Sequence, residues 1–138
     1  MAEWLAAMQA AGIGHVLCLN AAAEIARKSP DYAALLDSGA APWAVHAHPV
    51  EDFSAPRDLS AYAAWIAAQT ARLRAGETLL LHCAAGIGRT GMTALALLGA
   101  LGMAPDAAAA RVRDAGSFPE TEAQRDAVAA LVGARPPA

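Results

Sequence analysis

The stretch HCAAGIGRT, residues 82–90, follows Leu79, Leu80 and Leu81 and admits two readings that lead to different folds. Its glycines, with Gly91 just beyond, spell G-x-G-x-x-G across Gly86, Gly88 and Gly91, the outline of a dinucleotide-binding turn. Its ends spell Cys-x5-Arg, from Cys83 to Arg89. Both readings need a strand running into a glycine-rich turn and then a helix, so the sequence downstream must separate them. A mononucleotide-binding half requires another strand after that helix, carrying an acid for the ribose. Here two more helical stretches follow, and Asp106 and Asp114 both lie in helical sequence. The dinucleotide spacing is a coincidence.

Working outward, three short apolar runs read as buried strands, at residues 15–19, 43–48 and 78–82. They lack the polar alternation of a half-solvated sheet, which suits parallel strands covered on both faces. Helical stretches lie between and around them, at 4–10, 21–28, 31–37, 58–75, 90–101, 105–113 and 120–132. Ser29 and Pro30 break the second from the third, Gly39 stops the third, and Gly76 stops the fourth. On the fourth, Leu59, Tyr62, Ile66 and Leu73 share one face. The order argues for an α/β fold with a mainly parallel central sheet flanked by helices on both faces.

The chain has 138 residues, enough for one domain spanning 1–138 and for a core that needs no covalent staple. Residues 134–138 are expected to form a frayed tail. Net charge is −3, with nine arginines and one lysine, Lys28, and no basic stripe. Nucleic acid is therefore not an expected partner. The longest apolar run, near residues 93–104, is too short to span a bilayer. The first residues lack the charged head and apolar run of a signal peptide, so a soluble, cytoplasmic protein without membrane contact is expected. Cys18 and Cys83 fit neither a disulfide framework nor a zinc spacing. Cys18 reads as a small core residue, and Trp4, Trp43 and Trp65 as packing.

The Cys-x5-Arg reading accounts for each residue of the loop. Free N–H groups and the positive end of the following helix favour an anion, and the same setting favours the thiolate form of Cys83. Gly86 and Gly88 permit positive φ values, so that the N–H groups of Ala84, Ala85, Gly86, Ile87, Gly88 and Arg89 turn inward as a phosphate-binding nest. Arg89 offers a planar fork that matches two phosphate oxygens. Thr90 can donate its hydroxyl to the sulfur, and His82 can orient the loop through hydrogen bonds.

HCAAGIGRT resembles the signature of the cysteine-dependent protein tyrosine phosphatases, in the dual-specificity branch. The resemblance extends through GIGHVLCLN, SPDYAALLDSGA, HPVEDFSAP and ETEAQ, roughly residues 12–132, and is strongest toward small bacterial proteins similar to kinase-associated phosphatase. It implies a dual-specificity-phosphatase-like fold and a phosphocysteine intermediate with no metal or other cofactor. The implied partner is a phosphorylated protein or a small phosphomonoester, with phosphotyrosine ahead of phosphoserine and phosphothreonine. A phosphate or sulfate ion is expected in the loop. The resemblance also implies a general acid on a loop before the signature. In HPVEDFSAP, residues 48–56, Asp52 fits that pattern better than Glu51, the plainer reading being that both are solvated loop acids. Gln124 resembles the glutamine that orients the attacking water, against an equally plain reading as an exposed helical side chain.

Two departures are visible. Relatives carry Arg-Pro where this chain has Ala115-Gly116-Ser117, and they carry a segment before the first helix that this sequence does not show, so substrate contacts from it are not expected. His46 and His48 alternate as strand residues and lack a third ligand of matching context, so they are not read as a metal pair. Rhodaneses also place a cysteine before a helix, but without the Arg-Thr pair. Arsenate reductases and low-molecular-weight phosphatases place the motif near the chain start. Phosphoinositide phosphatases favour lysines in the loop, where this chain has Ala84, Ala85 and Ile87; a lipid or small-molecule ester remains the alternative substrate. A phosphate-binding pseudoenzyme is disfavoured because Cys83, Arg89 and a plausible acid are all present.

Overall fold

A computed structural model describes residues 1–137. Three strands, β1 (His15–Cys18), β2 (Ala44–Ala47) and β3 (Leu79–His82), form one parallel sheet in the order β2-β1-β3. Seven helices surround it: α1 (Ala2–Ala10), α2 (Ala22–Lys28), α3 (Pro30–Ser38), α4 (Leu59–Arg74), α5 (Gly88–Ala100), α6 (Pro105–Asp114) and α7 (Glu122–Val132).

The period-2 alternation of β1 divides the core. Val16 faces one side with Met8 and Trp43, joined by Trp4, Leu5, Tyr32, Leu35 and Leu36 from α1 and α3. Leu17 faces the other side with Tyr62, Ile66, Met92, Leu95, Val112 and Val128 from α4, α5, α6 and α7. The predicted face of α4 is therefore the buried one, and all three tryptophans pack as expected. α5 is buried along most of its length, as its nearly continuous apolar sequence requires.

The strand at 43–48 does not meet its expectation of burial. β2 is an edge strand, with Ala44 and Ala47 exposed and Val45 37% exposed. The run of small apolar residues carried no sign of edge position, because alanine fits either environment. The histidines there are spent locally. His46 hydrogen-bonds His15 ring to ring at 2.9 Å, and His48 packs on Tyr62 and Trp65.

Helix ends follow capping chemistry. Asp58 caps α4 by accepting from the Ala61 amide at 2.9 Å. Gly39 ends α3 in the left-handed conformation, and Gly76, at φ 86°, follows α4. The expected helix at 120–132 begins at Glu122, because Thr121 caps it by accepting from the Gln124 amide. The helix expected from Thr90 begins earlier, at Gly88, which places Arg89 in its first turn. No helix among the described residues is long and apolar enough to cross a membrane. In the stretch expected to fray, Arg135 pairs with Asp126 and Glu122, while Ala138 lies outside the described residues.

Candidate active site

Cys83 sits where β3 ends, and its loop closes at the N-terminus of α5. Thr90, in the first turn of α5, donates its hydroxyl to the Cys83 sulfur at 2.9 Å. The loop is held from outside by the segment after α6. Ser117 Oγ donates to the Gly86 carbonyl, and the Phe118 amide donates to the Ile87 carbonyl at 3.3 Å. In a planar trans peptide the next N–H points opposite to the carbonyl. The amides of Ile87 and Gly88 are thus turned away from this segment. Ser117, in the stretch that departs from the Arg-Pro expected of relatives, is a buried brace of the loop.

The glycines have separate reasons. Gly86 has φ 74°, the left-handed turn foreseen for it. Gly88 does not have positive φ. A Cβ there would lie 2.3 Å from Glu120 Oε1 and 3.0 Å from Gln124 Oε1, so close approach excludes a side chain. At Gly91 a Cβ would strike the Phe118 backbone at 2.5 Å. The G-x-G-x-x-G pattern thus reflects one turn and two contacts with the chain before α7.

Arg89 is 1% exposed, and what holds it was not evident from the sequence. Glu24, on α2, accepts from both terminal nitrogens, at 2.9 and 2.8 Å. The Val50 carbonyl accepts from Nη1 at 2.8 Å. This bidentate pairing fixes the guanidinium plane and, with buried Arg89 beside it, holds the Glu24 carboxyl down at about 2. Arg89 Nε is buried with no partner in the protein. Glu24 carries no local sign of this role, because an acid in the first turn of a helix has commoner explanations.

The pair makes a stability prediction. Glu24 has a folded pKa below its ordinary 4.5, so its contribution is fully present above that value and is lost as pH falls toward about 2. Glu24→Gln should destabilise the protein by about 3 kcal/mol near pH 7, because a buried guanidinium loses its counter-charge. The gap to the parent should narrow between pH ~4.5 and ~2. Denaturant unfolding at pH 7, 5 and 3 checks both the size and the window.

His82 contacts the Cys83 carbonyl through Nδ1 at 3.4 Å and the Tyr32 hydroxyl through Nε2 at 2.8 Å. Burial lowers the His82 pKa and raises that of Tyr32. A neutral imidazole with its proton on Nδ1, accepting at Nε2 from the tyrosine, satisfies both contacts. The expected orienting role of His82 has this geometry, with Tyr32 as its unforeseen partner.

The structure separates the two loop acids. Asp52 Oδ1 lies 3.4 Å from Arg89 Nη2 and accepts from the Phe53 amide at 3.0 Å. Glu51 faces solvent and meets only the exposed Arg57, at 3.4 Å. Phe53 has φ 60°, a costly conformation for a bulky residue, and it completes the turn that aims Asp52 inward. Gln124 is not an exposed helical side chain. It is fully buried, donates to the Ser54 carbonyl at 3.1 Å and accepts from the Glu120 amide at 2.8 Å, tying the acid loop to α7. Cys18 is buried and donates weakly to the Asn20 carbonyl at 3.6 Å; burial pushes its thiol pKa up. Among the described residues no group of three or more His, Cys, Asp or Glu side chains is placed to hold a metal ion.

A thiol at the mouth of a helix, with a clamped arginine in the helix's first turn and a loop acid against that arginine, is the arrangement of the cysteine-based phosphatases. Residues 1–137 match the family described as the Swiss Army Knife protein, DSP-PTPase phosphatase domain (PTP-SAK), and the chain belongs to it. It is a cysteine-based enzyme of the protein tyrosine and dual-specificity phosphatase class. Kinase associated phosphatase, solved with serine in place of its catalytic-site cysteine, shares the fold at TM-score 0.75 and 23% identity, over 95% of this chain and 76% of the other. Tk-PTP in its active form matches at TM-score 0.68 and 26% identity, over 91% and 82%. TpbA of P. aeruginosa, solved as a cysteine-to-serine variant with phosphotyrosine, matches at 0.63 and 25%, over 96% and 74%. No curated protein sequence matches the chain.

Proposed function

We propose that this enzyme hydrolyses phosphate monoesters on proteins, phosphotyrosine foremost, through a phosphocysteine intermediate. The observation that carries the reading is the convergence of the Thr90-bonded Cys83 sulfur, the clamped Arg89 and the inward-facing Asp52. Supporting the choice of phosphotyrosine is the resemblance to TpbA, which was solved with that ligand.

In this mechanism the N–H groups of residues 84–89 and the unpartnered Arg89 Nε receive the phosphoryl oxygens. The Cys83 thiolate attacks phosphorus, the P–O bond to the substrate breaks, and Asp52 gives its proton to the departing oxygen. Water then attacks the phosphocysteine while Asp52 takes a proton from it. The P–S bond breaks, inorganic phosphate leaves and Thr90 stabilises the returning thiolate. Gln124, already joined to the acid loop, is assigned to orienting that water. No metal or cofactor takes part.

The test is hydrolysis of p-nitrophenyl phosphate and of phosphotyrosine, phosphoserine and phosphothreonine peptides, with chelator present. Turnover is expected on the aryl ester and the phosphotyrosine peptide, with competitive inhibition by vanadate. A strong preference for phosphoinositides or small phosphate esters over every peptide would transfer the assignment to the alternative substrate class.

A further inference from the structure

Beside Cys83 the surface opens into a cleft of about 230 Å³, with Ala84 and Ile25 on its walls and Lys28, Ser29 and Tyr32 along its length. A second cavity of the same volume adjoins it across Ser29 and Tyr32, which line both, and is lined further by Met1 and Trp4. Taken as one groove, the adjoining pair leads from the nucleophile past a cation to an aromatic end, where Trp4 and Tyr32 meet edge to face with centroids 5.5 Å apart.

The cation is distinctive. Lys28 is the only lysine of the chain, and its side chain is 55% exposed. It lies 3.7 Å from Glu24, but both Glu24 oxygens already accept from Arg89. Glu24 is thus committed first to Arg89, which also meets Asp52, and the Lys28 ammonium stands more than half exposed on the groove with only a long contact of its own. Bound phosphate would be served by the loop and Arg89, leaving Lys28 without a role in the reaction itself.

We propose that this groove receives the polypeptide flanking the phosphorylated residue, with an acidic side chain near that residue pairing with Lys28. An apolar or aromatic side chain further along would pack on Trp4 and Tyr32. The proposal rests on the phosphotyrosine reading above and adds sequence selectivity to it. A peptide fits because an extended chain advances about 3.3 Å per residue, so a few residues suffice to join the three features. A free small ester would leave the aromatic end unused.

The test compares kcat/KM for phosphotyrosine peptides of equal length with acidic, neutral or basic flanks, using the whole chain. Acidic flanks are expected to be preferred over neutral ones about three- to fivefold, the size of a partly exposed charge pair, through KM and more strongly at low salt. Lys28→Gln should erase the preference, Lys28→Glu should reverse it and Lys28→Arg should keep it. A purely structural effect of Lys28, acting through Glu24 and Arg89, would lower all three peptides alike and leave their ratio unchanged. Trp4→Ala should weaken peptide turnover relative to p-nitrophenyl phosphate. Equal rates on all flanks, or an acidic preference that survives in Lys28→Gln, would overturn the proposal. Inactivity on every ester, p-nitrophenyl phosphate included, would instead remove the phosphatase reading beneath it.

Discussion

Cys83→Ser is expected to reduce phosphatase turnover by about 10⁴-fold or more, equivalent to about 5 kcal/mol of barrier, while the protein stays folded. Serine is a weak nucleophile at its free pKa and needs a base at hand. Asp52 is needed in its protonated form for this step, and the other neighbours provide no base. His82 is directed to the Cys83 carbonyl and to Tyr32, and Thr90 approaches the sulfur as a donor. The fold should survive because the replacement is smaller, half-buried and still able to accept from Thr90. Phosphotyrosine binding should persist, since loop amides and Arg89 are untouched. Circular dichroism, ligand titration and single-turnover assays separate these claims. A variant that keeps its turnover would remove the thiolate from the mechanism.

The contrast between what the sequence reveals and what it conceals follows from the range of each interaction. Cys83, Arg89 and Thr90 were legible because their chemistry is packed into one turn, where spacing alone places a thiol, a cradle and a fork together. The parallel sheet was legible for a similar reason: each apolar strand is followed by a break and a helix. Glu24 was hidden because its contact with Arg89 spans 65 positions, and nothing local distinguishes it from an acid that complements a helix dipole. Tyr32 was hidden behind its ordinary role in the core. Ser117 and Phe118 brace the loop at residues 86–87 with one hydroxyl and one backbone amide, groups whose direction no residue pattern encodes. The edge position of β2 depends on which strand finds the centre of the sheet, a tertiary outcome. Gly88 was recognised as necessary, but for the wrong reason, because a glycine in sequence does not distinguish a left-handed turn from a close neighbour.

The two acids of the upstream loop give the second large expectation. General acid catalysis contributes roughly 10²–10⁴-fold, or about 3–5 kcal/mol. Asp52→Asn should cost phosphotyrosine turnover that much and flatten the alkaline limb of the rate profile. p-Nitrophenyl phosphate should suffer less, because its leaving group departs with less need of a proton. The position of Asp52 adds a second signature. Its carboxylate lies 3.4 Å from Arg89 Nη2, beside the nitrogen proposed to receive the substrate dianion, and a charge there opposes the dianion, so the amide should lower kcat without raising KM. Glu51→Gln removes only a contact with Arg57 in which both side chains are largely exposed; such pairs are worth little, and a change of less than about twofold is expected. A large, leaving-group-dependent loss in Glu51→Gln with none in Asp52→Asn would reverse the assignment. Asp58 is a poor substitute, since its carboxylate is already spent on the Ala61 amide at the head of α4. Loss in neither variant would therefore mean that this loop rearranges on binding substrate, bringing in an acid from elsewhere.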